Sequence, residues 1–402
     1  MTLNPILVPM EDQLHIVICS TGIVDCPPIV GGGVEAYVWD ISNILSHTNH
    51  TVTLVTNIRR GTSATNGVKI ERSGSPIDRF PLTPLQSSVA HMVAGTFTSV
   101  ATQRVLSASG HNPTVLHLNE EVSSMILCHR YPDVPKVFTL HNPPLEGYIR
   151  PFGLIERIMR RSNTAISRRF IWNKADIVIA LSDWIRRFLV LNGVPEERVL
   201  HLSLPIDTNT YQPDHTNRYD SVPYLLYVGR LDTRKNVTRL VSAIARIRRR
   251  VRLVLVGRGP AEVQIADFIG RNGLSDSVSI LGRVPFSVLL RLYQGASALC
   301  LPSILEAYPR VVLEAAACGV PSILPQSFLY TDFINRGFVV TYDPADTLGL
   351  ENAIERFIDD LRLQRLLAGL ARKYALEVAS YPMFIRALER AYTAALQLHV
   401  SR

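Results

Sequence analysis

Arg230 and Lys235 stand five residues apart in the run Gly229-Arg230-Leu231-Asp232-Thr233-Arg234-Lys235-Asn236, directly after an apolar stretch at 224–228. On a strand-to-helix loop, two cations at that spacing can grip a diphosphate. Each charge-assisted hydrogen bond is worth roughly 1.5–3 kcal/mol, and the pair would stabilise negative charge building on a departing phosphate. An ordinary basic loop has the same composition. A second constellation is Glu306-Ala307-Tyr308-Pro309-Arg310-Val311-Val312-Leu313-Glu314. Pro309 suits the first position of a helix, where no N–H is needed, and the free N–H groups just after it can point at an anion. Glu306 then lies on the loop and Glu314 about a turn into the helix, where carboxylates can accept hydrogen bonds from hydroxyls. A third is Gly31-Gly32-Gly33-Val34-Glu35, where glycines let backbone N–H groups approach a ligand. It does not fit the dinucleotide fingerprint. His141 follows the run 136–140; a lone histidine there more often packs than moves protons. His117 is read as structural.

These residues need elements to hold them. Short β-branched runs at 15–19, 51–56, 115–118, 136–140 and 177–181 read as strands, with helices at 34–46 and 184–191. The stretch 205–223, with three prolines and no periodicity, reads as a linker. The pattern then restarts with strands at 224–228, 253–256, 278–281, 298–301 and 321–324, a helix at 237–247, and helical sequence from 350 almost to the end, broken near Pro382. Strand–helix alternation with short connections predicts an α/β chain with two doubly wound parallel sheets. Ligands bind outside the carboxyl ends of such strands, which is where the constellations fall.

With 402 residues and 47% hydrophobic content, the chain suits two globular units. No apolar run approaches the roughly 20 residues of a membrane helix, and the first twelve residues lack the basic start of a secretory leader. Five scattered cysteines without a C-x-x-C fit a reducing cytoplasm and give no structural zinc site. The net charge of +8 favours anionic partners without choosing among them. A basic, apolar-interleaved stretch at 155–174 suits peripheral contact with an anionic membrane surface, or a solvated basic face. The Arg-rich run 246–252 reads as solvated. Nothing has the aromatic interleaving of a single-strand binder, so nucleic acid is not an expected partner.

The flanks of the second constellation, Pro302-Ser303 before it and Ala315-Ala316-Ala317-Cys318-Gly319-Val320-Pro321 after it, complete a pattern with Gly229–Asn236 and Val256-Gly257-Arg258-Gly259-Pro260. Together they resemble the family 4 retaining glycosyltransferases of the GT-B fold. The resemblance extends to Gly31–Glu35, Thr139-Leu140-His141-Asn142, Ala180-Leu181-Ser182 and Ile206-Asp207. It implies two Rossmann-like domains facing across a cleft: 1–205 binding the acceptor, joined by the returning helix 383–402, and 206–382 binding a nucleotide-sugar. It further implies retention of configuration without a metal or other cofactor, the nucleotide-sugar (UDP- or GDP-linked) being a co-substrate. By matching position, Arg230 and Lys235 hold the diphosphate, Glu306 the donor sugar and Glu314 the ribose. Gly32, Gly33 and Gly229 lie by the phosphates, Val311 and Val312 follow at the helix start, and His141 contacts the donor sugar. The family usually reads E-G-F-G where this chain has Glu306-Ala307-Tyr308-Pro309, and an aliphatic residue where it has Arg310. Arg310 is therefore expected either to add a phosphate or acceptor contact or to face solvent. The acceptor stays open among carbohydrates, lipid-linked sugars and small molecules, with peripheral attachment at the inner membrane face allowed by 155–174. Two alternatives stay open: another enzyme of this architecture, such as a phosphorylase or epimerase, and a non-catalytic nucleotide-sugar-binding subunit.

Overall fold

The computed structural model describes residues 13–20, 26, 33–56, 67–74, 84–109, 113–141, 163–214, 223–247 and 251–401. Gly31, Gly32, residues 155–162 of the basic stretch, 215–222 of the expected linker and Arg248–Arg250 lie outside them.

Among the described residues, two parallel sheets carry the fold. The first has seven strands: β1 (His15–Cys19), β2 (Thr51–Thr56), β3 (Val68–Arg72), β4 (Thr114–Leu118), β5 (Lys136–Leu140), β6 (Ile177–Ala180) and β7 (Val199–His201). Their spatial order is β3-β2-β1-β4-β5-β6-β7. Helices α1 (Gly33–Leu45), α2 (Pro84–Ala108), α3 (Glu121–Arg130) and α4 (Asp183–Leu191) belong to this half. The second sheet has six strands, β8 (Tyr224–Val228), β9 (Arg252–Val256), β10 (Val278–Gly282), β11 (Ala298–Cys300), β12 (Ser322–Pro325) and β13 (Val339–Tyr342). They run in the order β10-β9-β8-β11-β12-β13. Helices α5 (Val237–Arg246), α6 (Glu262–Arg271), α7 (Phe286–Gly295), α8 (Arg310–Ala317), α9 (Thr331–Ile334), α10 (Gly349–Asp359) and α11 (Leu361–Tyr374) accompany it.

Central strands covered on both faces are buried along their length and mostly apolar. β1 (HIVIC) and β5 (KVFTL) are buried at every position. Each sheet reverses its winding once, between β1 and β4 and between β8 and β11. A reversal splays the neighbouring crossovers to opposite faces and opens a crevice at the carboxyl edge.

The segment after β7 is docked rather than loose. Leu202, Leu204, Ile206 and Tyr211 are buried. Arg372 of α11 donates to the carbonyls of Thr208 (3.0 Å), Tyr211 (2.9 Å) and Ala317 (2.7 Å). The chain crosses between halves a second time at residue 380, and there Ile206 bridges Ser380 in parallel. The last helix, α12 (Tyr381–Val400), packs on α1, β4, β5 and β6 of the first sheet. Its Tyr392 hydroxyl meets His117 Nδ1 at 2.9 Å, and the other ring nitrogen meets Thr139 Oγ1 at 2.8 Å. His117 is therefore structural, as read.

Gly257 and Gly259 have a steric role. A Cβ on Gly257 would lie 1.9 Å from the Gly229 carbonyl oxygen, and one on Gly259 would lie 2.1 Å from that of Leu231. Their absence lets the loops after β8 and β9 pair, Gly229 N–H to Val256 O and Leu231 N–H to Arg258 O, both at 3.0 Å. Gly257 also sits at φ +138°, where other residues are strained. Gly257→Ala is expected to lower stability by at least about 2 kcal/mol, the scale of such backbone strain, measured by urea unfolding of the purified variant.

Candidate active site

Both winding reversals carry candidate side chains. After β8, Gly229 at φ +156° turns the chain, and the Tyr227 hydroxyl donates to the Arg230 carbonyl at 2.8 Å. Asp232 organises the loop: its Oδ1 accepts the Lys235 N–H at 3.1 Å, and its Oδ2 faces Arg234 at 3.1 Å and Arg230 Nε at 3.5 Å. Asp232 is buried, while the Arg230 side chain is 66% exposed. Asn236, at φ 53°, breaks the direction between the turn and α5. The Lys235 ammonium thereby reaches Glu306 Oε1 at 2.5 Å, across the reversal from the loop after β11. Arg230, Lys235 and Glu306 are thus linked through Asp232, an organiser that the sequence did not single out.

α8 starts one residue later than expected, with Pro309 as its cap. The Val312 N–H is already bonded to the Pro309 carbonyl at 3.0 Å, so Val312, buried as well, differs from the expectation of an N–H offered to a ligand. Glu314 accepts from the Tyr293 hydroxyl at 2.7 Å and from Arg310 Nε at 3.3 Å. Arg310 neither faces solvent nor stands free for a phosphate, as had been expected. Its NH1 lies 2.5 Å from Oδ2 of Asp40 on α1, in the other half. Burial pushes the Asp40 carboxyl up from its ordinary range and Arg310 opposes that. Nothing local in the sequence marks Asp40, whose partner is 270 residues away.

The first half supplies the facing crevice. Gly33 opens α1, and β4 leads into Asn119 and Glu120. Glu120 caps α3, accepting from the N–H groups of Val122 (2.8 Å) and Ser123 (2.7 Å). Asn119 donates its amide to the Cys19 carbonyl at 3.2 Å and meets His141 Nε2 with Oδ1 at 3.0 Å. With the amide so committed, Nε2 carries the ring proton and Nδ1 is the acceptor. The His141 ring stands edge-on to Tyr37 of α1, centroids 4.9 Å apart. A cavity of ≈ 500 Å³ opens here, lined among others by His141, Glu121, Met92, Ile166 and Ser167. The halves also meet where Asp332 accepts the Asp183 N–H (3.1 Å) and pairs with His201 (3.2 Å), and where Trp184 Nε1 donates to the Ala307 carbonyl (3.3 Å).

Two Rossmann-like sheets with charged constellations at opposed winding reversals define the GT-B architecture. The Glycosyltransferase Family 4 model matches residues 31–210 and the "Glycosyl transferases group 1" model matches residues 210–373. The chain belongs to this family and is a glycosyltransferase. Glycogen synthase of Mycobacterium tuberculosis is 24% identical over 387 residues, covering 92% of each chain. Among solved structures, sucrose-phosphate synthase from Thermosynechococcus elongatus superposes with a TM-score of 0.79 at 22% identity, covering 97% of this chain and 100% of that one. HepE from Anabaena, solved in complex with UDP and glucose, superposes with 0.68 at 16%, covering 95% and 100%.

Burial lowers the pKa of both His141 and His117 from the ordinary 6.5 to about 3, and for His117 the neighbouring His141 adds to the effect. Both are neutral at physiological pH. An unfolded chain binds protons that the native protein refuses, so their contribution to stability is complete above pH 6.5 and is lost as pH falls from there toward about 3. In His117→Gln the fall in Tm between pH 7 and pH 4 should be shallower than in the wild type, checked by calorimetry across that range.

Proposed function

We propose that the protein transfers a sugar from a nucleotide diphosphate donor, UDP- or GDP-linked, to an acceptor hydroxyl with retention of configuration, using no metal or other cofactor. The observation that carries this reading is the Lys235–Glu306 pair at the second sheet's winding reversal, with Arg230 on the same loop against Asp232. Lys235 and Arg230 hold the diphosphate, and Glu306 turns to the donor sugar hydroxyls. Glu314 binds the ribose. The bond from the anomeric carbon to the phosphate oxygen breaks, and the cations take up the charge left on phosphate. The acceptor hydroxyl attacks from the same face, and its proton passes to the leaving phosphate. Neutral His141, fixed by Asn119, presents Nδ1 toward the sugar. The cavity beside His141 is the acceptor's place. HepE's complex with UDP and glucose supports the donor class.

Thermal-shift screening against UDP-, GDP-, ADP- and dTDP-sugars is expected to give stabilisation with one base, since a ligand of the native state alone raises its stability. The shift should vanish in Arg230→Ala. Lys235→Ala should lower kcat at least about 100-fold, the scale of one lost charge-stabilising group. Wild-type turnover in that variant would remove Lys235 from the mechanism.

Among the described residues no helix is long and apolar enough to cross a membrane. Near the cavity, Ile166 (41%) and Phe170 (40%) are exposed beside Arg168 and Arg169. We propose that this face meets an anionic membrane that presents the acceptor. Sedimentation with phosphatidylglycerol vesicles should capture the wild type, with Ile166→Asp/Phe170→Asp left in the supernatant. Neutral phosphatidylcholine vesicles should capture neither.

A further inference from the structure

We infer that Asp40 is a positioning residue for the donor, acting through Arg310 on Glu314 and on the alignment of α1 with α8. The inference rests on Glu314 being a donor contact, as proposed above.

Four groups form one chain across the halves. Tyr293 donates to one oxygen of Glu314 at 2.7 Å, Arg310 Nε faces the other at 3.3 Å, and Arg310 NH1 reaches Asp40 at 2.5 Å. The Glu314 carboxylate is gripped at both oxygens, so its plane is fixed before any ligand arrives. Arg310 is the first residue of α8, and Asp40 stands seven residues, about 10 Å, along α1 from its start. The pair therefore ties together the two helices whose starts face the crevice. It also lies near the two crossings of the chain between the halves. Asp207 and Tyr381, which follow the bridged residues Ile206 and Ser380, interact electrostatically with Asp40.

The charges explain why Asp40 matters to a ligand it does not touch. Two carboxylates share one guanidinium. Without Asp40, Arg310 is left half-buried beside a single carboxylate, and a planar guanidinium then pairs with it through both nitrogens. That rotation would turn Glu314 away from the ribose. Asp40 holds the guanidinium back by drawing it toward α1.

The test is calorimetric binding of UDP, GDP and ADP to the full chain, followed by the tightest of them with Asp40→Asn, Asp40→Glu, Arg310→Met and the double variant Asp40→Asn/Arg310→Met. Asp40→Asn should raise Kd about tenfold, and Asp40→Glu should restore it to within about twofold. The double variant should bind no worse than Arg310→Met alone. The donor KM should follow Kd, with kcat at saturation changed less than about threefold, which separates positioning from chemistry. A merely structural Asp40 would lower Tm without this non-additivity in Kd. Unchanged or tighter binding in Asp40→Asn would overturn the inference; tighter binding would mean that Arg310 is a phosphate ligand that Asp40 restrains. Additive losses in the double variant would also overturn it. If Asp40→Asn does not fold, the exchange Asp40→Arg/Arg310→Asp serves: binding better than in Arg310→Asp alone supports the inference, and no recovery refutes it. Absence of nucleotide binding by the wild type would refute the donor reading itself, before any variant is made.

Discussion

A parallel sheet obliges every connection to return to the edge where the strand began. All carboxyl ends then collect on one edge, and the helices that follow them start there with unsatisfied N–H groups. This constraint, imposed twice in the chain, decides where the chemistry can be. Apolar strands that nothing but burial would tolerate run straight into loops of glycine, arginine, lysine and glutamate. The winding reversals β1/β4 and β8/β11 open each edge at one place, and the two openings hold the candidate side chains.

Charge pairing then organises what the topology exposes. The Lys235 ammonium pairs with the Glu306 carboxylate, and the one Arg310 guanidinium is shared by Asp40 and Glu314. Partly buried charges without partners are costly, and these charged side chains face one another. A ligand that engages Lys235 competes with the Glu306 carboxylate for it.

Most strands were legible to within a residue, because a doubly covered strand is a dense β-branched run ended by glycine or a turn. β3 was missed because it is an edge strand, VKIER, with one fully buried side chain. The helix α2 was missed because serine, threonine and alanine spread round it leave no apolar stripe. β13 hid for the same reason as β3, alternating between buried and half-buried positions. In the site, Arg230, Lys235 and Glu306 could be named because local motifs place them. Asp40, Asn119 and Tyr293 could not, since their roles arise from contacts with groups distant in sequence. Arg310 was visible as an oddity, but its partner lies on the other sheet. The stretch after β7 reads as loose on composition, yet two hydrogen bonds from Arg372 and its own buried leucines pin it.

The return of α12 onto β4, β5 and β6 also bears on biosynthesis. The first sheet ends at His201, but the helix that covers it is made only after the whole of the second sheet. Until then the face that receives Phe384, Leu388 and Tyr392 has no lid, and His117 waits for a hydroxyl 275 residues downstream. The nascent first half must pass through a period of exposed apolar surface lasting as long as translation of the second, about 10–40 s at ordinary elongation rates. The first sheet, although its strands are made first, can therefore be covered only after the whole of the second sheet has been translated.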